Sequence, residues 1–256
     1  MFVNKISLLV HHGKQAIPDL DAVTLPAIFR GRPVIGEGLP ADRARQLAAI
    51  CPTGAIGTHP LSIDLGKCTF CGECQHRVPE YIRFTNDHKL ATTSREALIV
   101  REGDDRPIAF HRENVRAEIP KLFKHALKLR QVSAGGDNSG EMELNASGNV
   151  NFDFGRYGVE FVASPRHGDG LVITGPISEN MAIPLELAYN ATPDPKVVVL
   201  VGTDAISGGL FAGSPALDRG FLERHFIDLY VPGNPAHPLT YIDGILNLTG
   251  RKEAGR

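Results

Sequence analysis

The sequence contains no long apolar run and almost no excess of charge. None of its runs approaches the roughly 20 apolar residues that cross a bilayer, so we expect no direct membrane span. Lys and Arg number 27 against 29 Asp and Glu, which gives no argument for nucleic-acid binding. The first 12 residues have a short apolar stretch and no small-residue cleavage site. We therefore expect a cytoplasmic chain whose membrane attachment comes only through partners.

Cysteine is also scarce, and the placement of the four cysteines is informative. Cys68, Cys71 and Cys74 form a C-x2-C-x2-C run, and Cys51 stands upstream before a proline. In bacterial ferredoxins such a run gives three thiolates to a [4Fe–4S] cluster, and the fourth comes from a distant Cys-Pro. The run's own Cys-Pro position is occupied by Val78. The four cysteines together therefore predict one cluster.

Other uses of four cysteines are less consistent with this spacing. A structural zinc site more often pairs two C-x2-C knuckles, whereas a triple run with a distant Cys-Pro is the iron–sulfur pattern. Disulfides are disfavoured because no secretory signal precedes the run and its cysteines lie too close in sequence to suit each other. Zinc remains the alternative to the cluster.

The first part of the chain, residues 1–112, is predicted to be a compact α+β ferredoxin-like module. It is rich in Gly, Pro and short β-type runs. Residues 41–50 have helical spacing, and residues 61–65 and 82–85 are predicted strands that flank the cysteine loop. A length of 256 residues suits two such modest domains.

A linker is predicted between the two domains. Residues 113–132 have the composition of a basic amphipathic helix, which we interpret as docking on its own protein rather than on an anionic surface. Residues 133–151 are rich in Gly, Ser and Asn and are predicted to form a loop.

The remainder, residues 133–256, is predicted to be a flavodoxin-like α/β domain with a parallel sheet. Short apolar runs of the buried-strand type alternate with helix candidates. The predicted strands are 159–163, 171–174, 197–201 and 227–231, and the predicted helices are 179–190, 214–224 and 239–248. Loops at the carboxyl ends of such strands are where open α/β sheets bind ligands.

Those loops resemble one family. The matching stretches are Phe-Gly-Arg-Tyr-Gly at 154–158, residues 164–176, Gly-Thr-Asp-Ala-Ile-Ser-Gly-Gly at 202–209 and Val-Pro-Gly-Asn-Pro at 231–235. They resemble the small electron-transfer subunit shared by respiratory complex I and membrane-bound [NiFe] hydrogenases, over about residues 135 to 248. Residues 29–35 and 64–68 resemble the ferredoxin-like subunit that accompanies the hydrogenase type. The resemblance implies a fusion of two electron-transfer subunits.

The chain departs from that family where a second [4Fe–4S] cluster would be held. The family's four loop cysteines are replaced here by Asp137, Gly140, Asp204 and Asn234. These residues cannot supply four soft thiolates, so no second cluster is expected. Asp137 and Asp204 suit a hard cation, but we interpret them as loop residues that form hydrogen bonds.

The retained loop residues predict a partner surface. Arg156, Tyr157, Pro165, Arg166 and His167 are expected near the strand ends, alongside the lost cluster site. Their spacing alone favours a structural role, whereas the resemblance implies an interface with a large subunit and other subunits of a membrane-bound complex. The Gly202–Gly209 loop lacks both common nucleotide-binding spacings.

The sequence predicts an electron-transfer subunit of a membrane-associated oxidoreductase complex, peripheral on the cytoplasmic face of the inner membrane. No catalytic constellation stands out, so we expect no substrate chemistry of its own. The alternative is a non-catalytic structural or assembly subunit with a structural or redox-sensing cluster. An iron–sulfur nucleic-acid enzyme is disfavoured because the chain has no basic recognition element.

Overall fold

The computed structural model describes residues 2–13 and 15–251 of the chain. Its first part contains short elements: α1 (Phe2–His12), β1 (Pro33–Ile35), α2 (Ala41–Ile50), β2 (Ile56–Thr58), β3 (Leu61–Asp64), α3 (Glu73–Arg77), β4 (Ile82–Phe84) and β5 (Ile99–Arg101). β1 pairs with β4, and β2, β3 and β5 form a second antiparallel sheet. The predicted helix at 41–50 and the predicted strands at 61–65 and 82–85 are confirmed to within one residue.

The second part is built on a five-stranded parallel sheet. Its strands are β6 (Leu127–Ser133), β7 (Val159–Phe161), β8 (Gly170–Thr174), β9 (Val197–Val201) and β10 (Leu229–Val231). They lie in the order β10-β9-β8-β6-β7, and every pairing is parallel. This is the flavodoxin-like order, in which the first strand along the chain lies between the second and the third. The predicted α/β sheet is confirmed.

The two faces of the parallel sheet are both covered, so its strands are apolar throughout. Every residue of β8 and β9 is buried, as expected for strands with packing on both faces. Val197 and Val199 of β9 join the packing around α9 (Pro238–Leu248), whereas Val198 and Leu200 pack with α6 (Glu179–Ala191) and α8 (Phe221–Arg224).

The cysteine module also packs against that second face of the sheet. Cys68 and Cys74 belong to the same buried cluster as Leu171 and Ile173 of β8. The two parts of the chain therefore share one hydrophobic core, which we call the shared core. A core of this kind couples the stability of the cysteine loop to that of the sheet.

The predicted linker helix over 113–132 is wrong. Only α4 (Glu118–Leu122) is helical there, and β6 occupies the strand position between β7 and β8. Leu127 and Leu129 are buried on one face while Lys128 between them is exposed, which is the two-residue period of a strand. β6 pairs with a strand on each side, and this pairing overrides the helical spacing of Leu122, Ala126 and Leu129.

Two further local predictions needed correction. The predicted loop at 133–151 contains α5 (Ser139–Ala146), and the predicted helix at 214–224 is reduced to the single turn of α8. Pro215, Gly213 and Gly220 account for the second difference, because proline and glycine disfavour continuation of a helix. The helices predicted at 179–190 and 239–248 are confirmed as α6 and α9.

No helix in residues 2–13 or 15–251 is long and apolar enough to cross a membrane.

Tyr241 on α9 has a buried hydroxyl group for which the described part of the chain offers no hydrogen-bond partner. Its ring stacks on Phe161, with centroids 6.4 Å apart, and burial raises the pKa of the phenol. A buried, unsatisfied hydroxyl destabilises the folded state. We therefore expect Tyr241→Phe to raise the free energy of unfolding by about 1 kcal/mol, measured by urea denaturation. A lower stability of the phenylalanine variant would show that the hydroxyl is bonded in solution.

Candidate iron–sulfur site

The four cysteines come together at one end of the shared core. Cys51 caps the C-terminus of α2, Cys68 and Cys71 lie on the loop from β3 into α3, and Cys74 lies in the first turn of α3. All four are free; Cys68 and Cys74 are buried, Cys51 is half-buried and Cys71 is exposed. Burial raises the pKa of Cys68 to about 12, and the nearby charges of the other three thiolates raise it too. The structure thus places all four predicted ligands within electrostatic range of one another.

Backbone amides point at two of the sulfur atoms. The N–H of Ala55 donates to Cys51 Sγ at 3.2 Å, and that of Phe70 donates to Cys68 Sγ at 3.3 Å. Hydrogen bonds of this kind stabilise thiolates and are among the features that set the reduction potential of an iron–sulfur cluster. The loop therefore supplies donors where a cluster would need them.

The loop adopts an unusual backbone conformation to do this. Phe70 has a φ of 53° and Gly72 has a φ of 81°. Glycine adopts this left-handed region easily, but a bulky residue does so at a cost of order 1–3 kcal/mol and mostly at functional sites. The turn directs the Phe70 N–H at Cys68 Sγ, and turns with left-handed residues form the backbone nests that bind anions and many Fe–S groups.

The donor set fits an iron–sulfur cluster. Cys68 and Cys74 are buried, and burial raises the pKa of Cys74 to about 11, so these two thiols need an electrophilic partner before they ionise at neutral pH. No group of three or more His, Cys, Asp or Glu side chains in the described ranges is arranged so that it could hold a metal ion. The fit consequently rests on the donor chemistry and the N–H to sulfur bonds.

The four replaced positions of the second cluster also converge. Asp137, Gly140, Asp204 and Asn234 line one cavity at the carboxyl edge of the parallel sheet. The cavity lies where the chain after β6 meets the chain after β8, which is the switch point at which flavodoxin-like sheets bind ligands. Its volume is about 20 Å³, enough for a single water molecule.

The aspartates in this cavity behave as loop residues. Asp137 accepts hydrogen bonds from the Ser139 amide at 2.9 Å and from its hydroxyl at 2.6 Å, and these bonds lower its pKa. Burial raises the pKa of Asp204, the charge of Asp137 raises it as well, and that of Arg219 opposes the rise. The arrangement agrees with the hydrogen-bonding interpretation of Asp137.

The loops around this cavity have strained backbone conformations. Asn138 has a φ of 71°, and the buried, β-branched Ile177 has a φ of 64°. Gly175 has a φ of 78°, and an added Cβ there would lie 2.4 Å from the Gly136 amide nitrogen. Backbone strain of this kind persists only where the surrounding structure enforces it.

The cysteine loop packs directly on these loops. Thr203, which precedes the replaced position Asp204, donates its hydroxyl to the Cys68 carbonyl at 2.7 Å. Cys71 and Asn234 line a second cavity of about 250 Å³ between the two parts of the chain. The predicted cluster site therefore lies next to the cavity lined by Asp137, Gly140, Asp204 and Asn234. No local pattern indicates the role of Thr203, because its partner is 135 residues away.

The predicted partner-surface residues are not brought to the lost cluster site. None of the five lines its cavity. Arg156 and Tyr157 lie in a 3-10 turn before β7, at the amino edge of the sheet, so their expected position is wrong. The Arg156 guanidinium stacks on the Tyr157 ring, 4.7 Å from its centroid, and donates to the Ile17 carbonyl. These contacts are internal.

The other three, Pro165, Arg166 and His167, form a 3-10 turn between β7 and β8. Arg166 and His167 are exposed. The chain after this turn enters the amino end of β8, where the Asp169 amide bonds the Lys128 carbonyl at 2.6 Å. Their role in partner binding stays a prediction.

Comparisons with known proteins match the part of the chain that holds the parallel sheet. Residues 138–248 match the family described as NADH ubiquinone oxidoreductase, 20 Kd subunit. The probable membrane-bound hydrogenase subunit mbhJ of Pyrococcus furiosus is 32% identical over 130 residues, which cover 51% of this chain and 78% of that protein. A subunit of the NADH-quinone oxidoreductase of Clostridium beijerinckii is 38% identical over 120 residues, covering 45% and 71%.

A further relative and a solved structure match the same part of the chain. Formate hydrogenlyase subunit 7 of Escherichia coli is 32% identical over 140 residues, and the match spans 55% of each protein. Among solved structures, a chain of the membrane-bound sulfane sulfur reductase, an archaeal respiratory membrane complex, matches with a TM-score of 0.45 and 26% identity. That match covers 51% of this chain and 72% of the other.

Proposed function

Since the chain belongs to the family of the NADH ubiquinone oxidoreductase 20 kDa subunit, we propose that it is an electron-transfer subunit of a membrane-associated oxidoreductase complex. It carries one [4Fe–4S] cluster on Cys51, Cys68, Cys71 and Cys74. The observation that carries this proposal is the pair of backbone N–H groups directed at Cys51 Sγ and Cys68 Sγ. The charges of Cys51, Cys71 and Cys74 also act on Cys68, which supports a common site.

A bound cluster would supply one-electron redox chemistry, and the chain's own residues would set its environment. Burial of Cys68 and Cys74 excludes water from one side, while Cys71 is exposed on the other. The Ala55 and Phe70 amides stabilise negative charge on the sulfurs. Electrons would enter or leave most readily near Cys71, where the least protein separates the thiolate from a partner.

The wider organisation is proposed on the same basis. Residues 1–112 form the ferredoxin-like cluster module, and residues 133–256 correspond to the small electron-transfer subunit. The partners are a large subunit related to those of complex I and [NiFe] hydrogenases, together with other subunits of a membrane-bound complex, and the chain is peripheral on the cytoplasmic face. The names of the relatives, which include a membrane-bound hydrogenase subunit and a formate hydrogenlyase subunit, support this assignment.

The second candidate function is a structural or assembly subunit whose cluster is structural or redox-sensing. It is favoured by the cavity lined by Asp137, Gly140, Asp204 and Asn234. The loops around this cavity have strained conformations, but none of these four side chains is a thiolate. In this case the parallel-sheet part would serve only as a docking surface.

The test is metal analysis of the full chain purified without oxygen. We expect about four iron and four sulfide per chain, the content of one cubane. Stoichiometric zinc without sulfide would contradict the cluster. A reversible electron paramagnetic resonance signal on reduction supports electron transfer, whereas a cluster that accepts no electron favours the structural role.

A further inference from the structure

Thr203 joins the two parts of the chain at the backbone of a predicted cluster ligand. The side chain is fully buried, and its hydroxyl lies 2.7 Å from the Cys68 carbonyl and 3.2 Å from the Gly233 carbonyl. Its amide donates to the Gly233 carbonyl at 2.8 Å, which fixes the residue against the chain after β10. A hydroxyl has one proton to donate, and the shorter distance places it on Cys68.

The peptide group that Thr203 holds begins the strained turn of the cysteine loop. Two residues on, Phe70 has its φ of 53° and directs its N–H to Cys68 Sγ. The next constraint is Arg30, whose Nε donates to the Phe70 carbonyl. The turn is thus anchored at the Cys68 carbonyl on one side and at the Phe70 carbonyl on the other.

The two anchors keep the Phe70 N–H bonded to Cys68 Sγ. An unanchored turn would relax toward a negative φ at Phe70, because a phenylalanine is strained in the left-handed region. Relaxation would move the Phe70 N–H away from Cys68 Sγ. A cluster thiolate that loses an N–H donor is less stabilised in the more negative, reduced state, so the reduction potential falls.

We propose that Thr203 is a positioning residue for the cluster held by Cys51, Cys68, Cys71 and Cys74. The loop that contains Asp204, in the parallel-sheet part of the chain, packs against the cysteine loop and supports the cluster proposed there. Through this contact Thr203 keeps the Phe70 N–H directed at Cys68 Sγ. The inference rests on the proposed function, since it requires a cluster at those four cysteines.

The experiment compares full-length variants purified without oxygen. Thr203→Val removes the hydroxyl at nearly constant volume, and Thr203→Ser restores it. Thr192→Val is the matched control, because Thr192 is also buried and its hydroxyl bonds the Ala188 carbonyl at the end of its own helix. Iron release to a chelator and the midpoint potential are measured for each protein.

We expect Thr203→Val to release iron about fivefold faster, the factor that corresponds to one buried hydrogen bond, and to shift the midpoint potential to a more negative value. Thr203→Ser and Thr192→Val should behave as the original chain does. The potential is the decisive readout, because a merely structural threonine would alter iron release without moving it.

An unchanged potential in Thr203→Val, with about four iron per chain still present, overturns the positioning role and leaves the proposed function intact. Absence of iron and sulfide from the original chain overturns both. If Thr203→Val does not fold, the Arg30→Lys variant is used in its place. Arg30 is exposed, and the substitution keeps the positive charge but removes the hydrogen bond from Nε to the Phe70 carbonyl. A negative shift is expected there as well, and no shift overturns the role of the anchored turn.

Discussion

Replacing Cys68 with alanine should reduce the iron and sulfide content of the anaerobically purified chain to below about one per molecule, since a cubane needs four ligands. Cys68 is the more strongly desolvated of the two buried thiols, and water cannot readily take its place as a ligand in the shared core. The loss should appear as bleaching of the visible absorption and should lower the stability, because a bound group stabilises only the folded state.

The matched control is Val78→Ala in the same loop. Val78 stands where a bacterial ferredoxin would have its own Cys-Pro cysteine, and it is 1% exposed within the shared core. Its truncation should lower the free energy of unfolding by about 2 kcal/mol and leave the iron content unchanged. Full iron occupancy in Cys68→Ala would show that the cysteine is structural and that the ligand set is different.

Arg116→Met should lower the free energy of unfolding by about 1.5–3 kcal/mol at neutral pH, the range for hydrogen bonds to a charged group, because the Arg116 side chain is 34% exposed. Arg116 Nε lies 2.9 Å from Asp228 Oδ1, and Nη2 lies 3.1 Å from Oδ2. The Asp228 side chain is only 2% exposed. Without the guanidinium, a carboxylate would remain buried beside the first residues of β9 with only the Val198 amide as donor.

The effect of this substitution should depend on pH. Burial raises the pKa of Asp228 in the folded chain, and the Arg116 guanidinium opposes that rise. The folded chain therefore holds the Asp228 proton more tightly than the unfolded chain does. Stability from this group is greatest below the unfolded pKa and falls as the pH rises through the folded pKa. Removal of Arg116 raises the folded pKa further, so the loss should be larger at pH 8 than at pH 5.

Two controls isolate the buried pair. Arg106→Met breaks an exposed ion pair with Asp104, since the Arg106 side chain is 86% exposed. It should change the free energy of unfolding by about 1 kcal/mol or less. The double variant Arg116→Met/Asp228→Asn should recover most of the lost stability, because no charge is left buried. Equal urea midpoints for Arg116→Met and Arg106→Met would contradict the predicted role of the pair.

Much of the fold could be predicted from local sequence. The continuous apolar run at Val197–Val201 has the composition of a strand covered on both faces, and it forms β9. The sequence does not single out β6, because Leu122, Ala126 and Leu129 lie at i, i+4 and i+7, which is the spacing of one side of a helix. Only the neighbouring strands β7 and β8, which are distant in sequence, select the extended form.

In the candidate site, too, local sequence predicts some features, whereas others depend on contacts between distant residues. The spacing of Cys68, Cys71 and Cys74 predicts that these three thiols lie near one another, because a segment of only seven residues holds them. Their role with Cys51 as cluster ligands stays a prediction. The anchored turn could not be predicted, since it depends on the hydroxyl of Thr203 and on a left-handed Phe70 that no local pattern specifies. Nor does the sequence reveal that Arg156 and Tyr157 lie at the amino edge of the sheet.

The shared core links cluster binding to the amount of the chain that accumulates in a cell. Cys68 and Cys74 are packed in the same buried cluster as Leu171 and Ile173 of the parallel sheet. If the chain binds the proposed cluster, a newly made chain that has not received it lacks a group that stabilises this packing, and a larger fraction of it is unfolded at any moment. Proteases remove unfolded chains continuously, so differences of about 1–2 kcal/mol change abundance several-fold. Supply of iron and sulfide would thus set how much of the subunit accumulates for assembly.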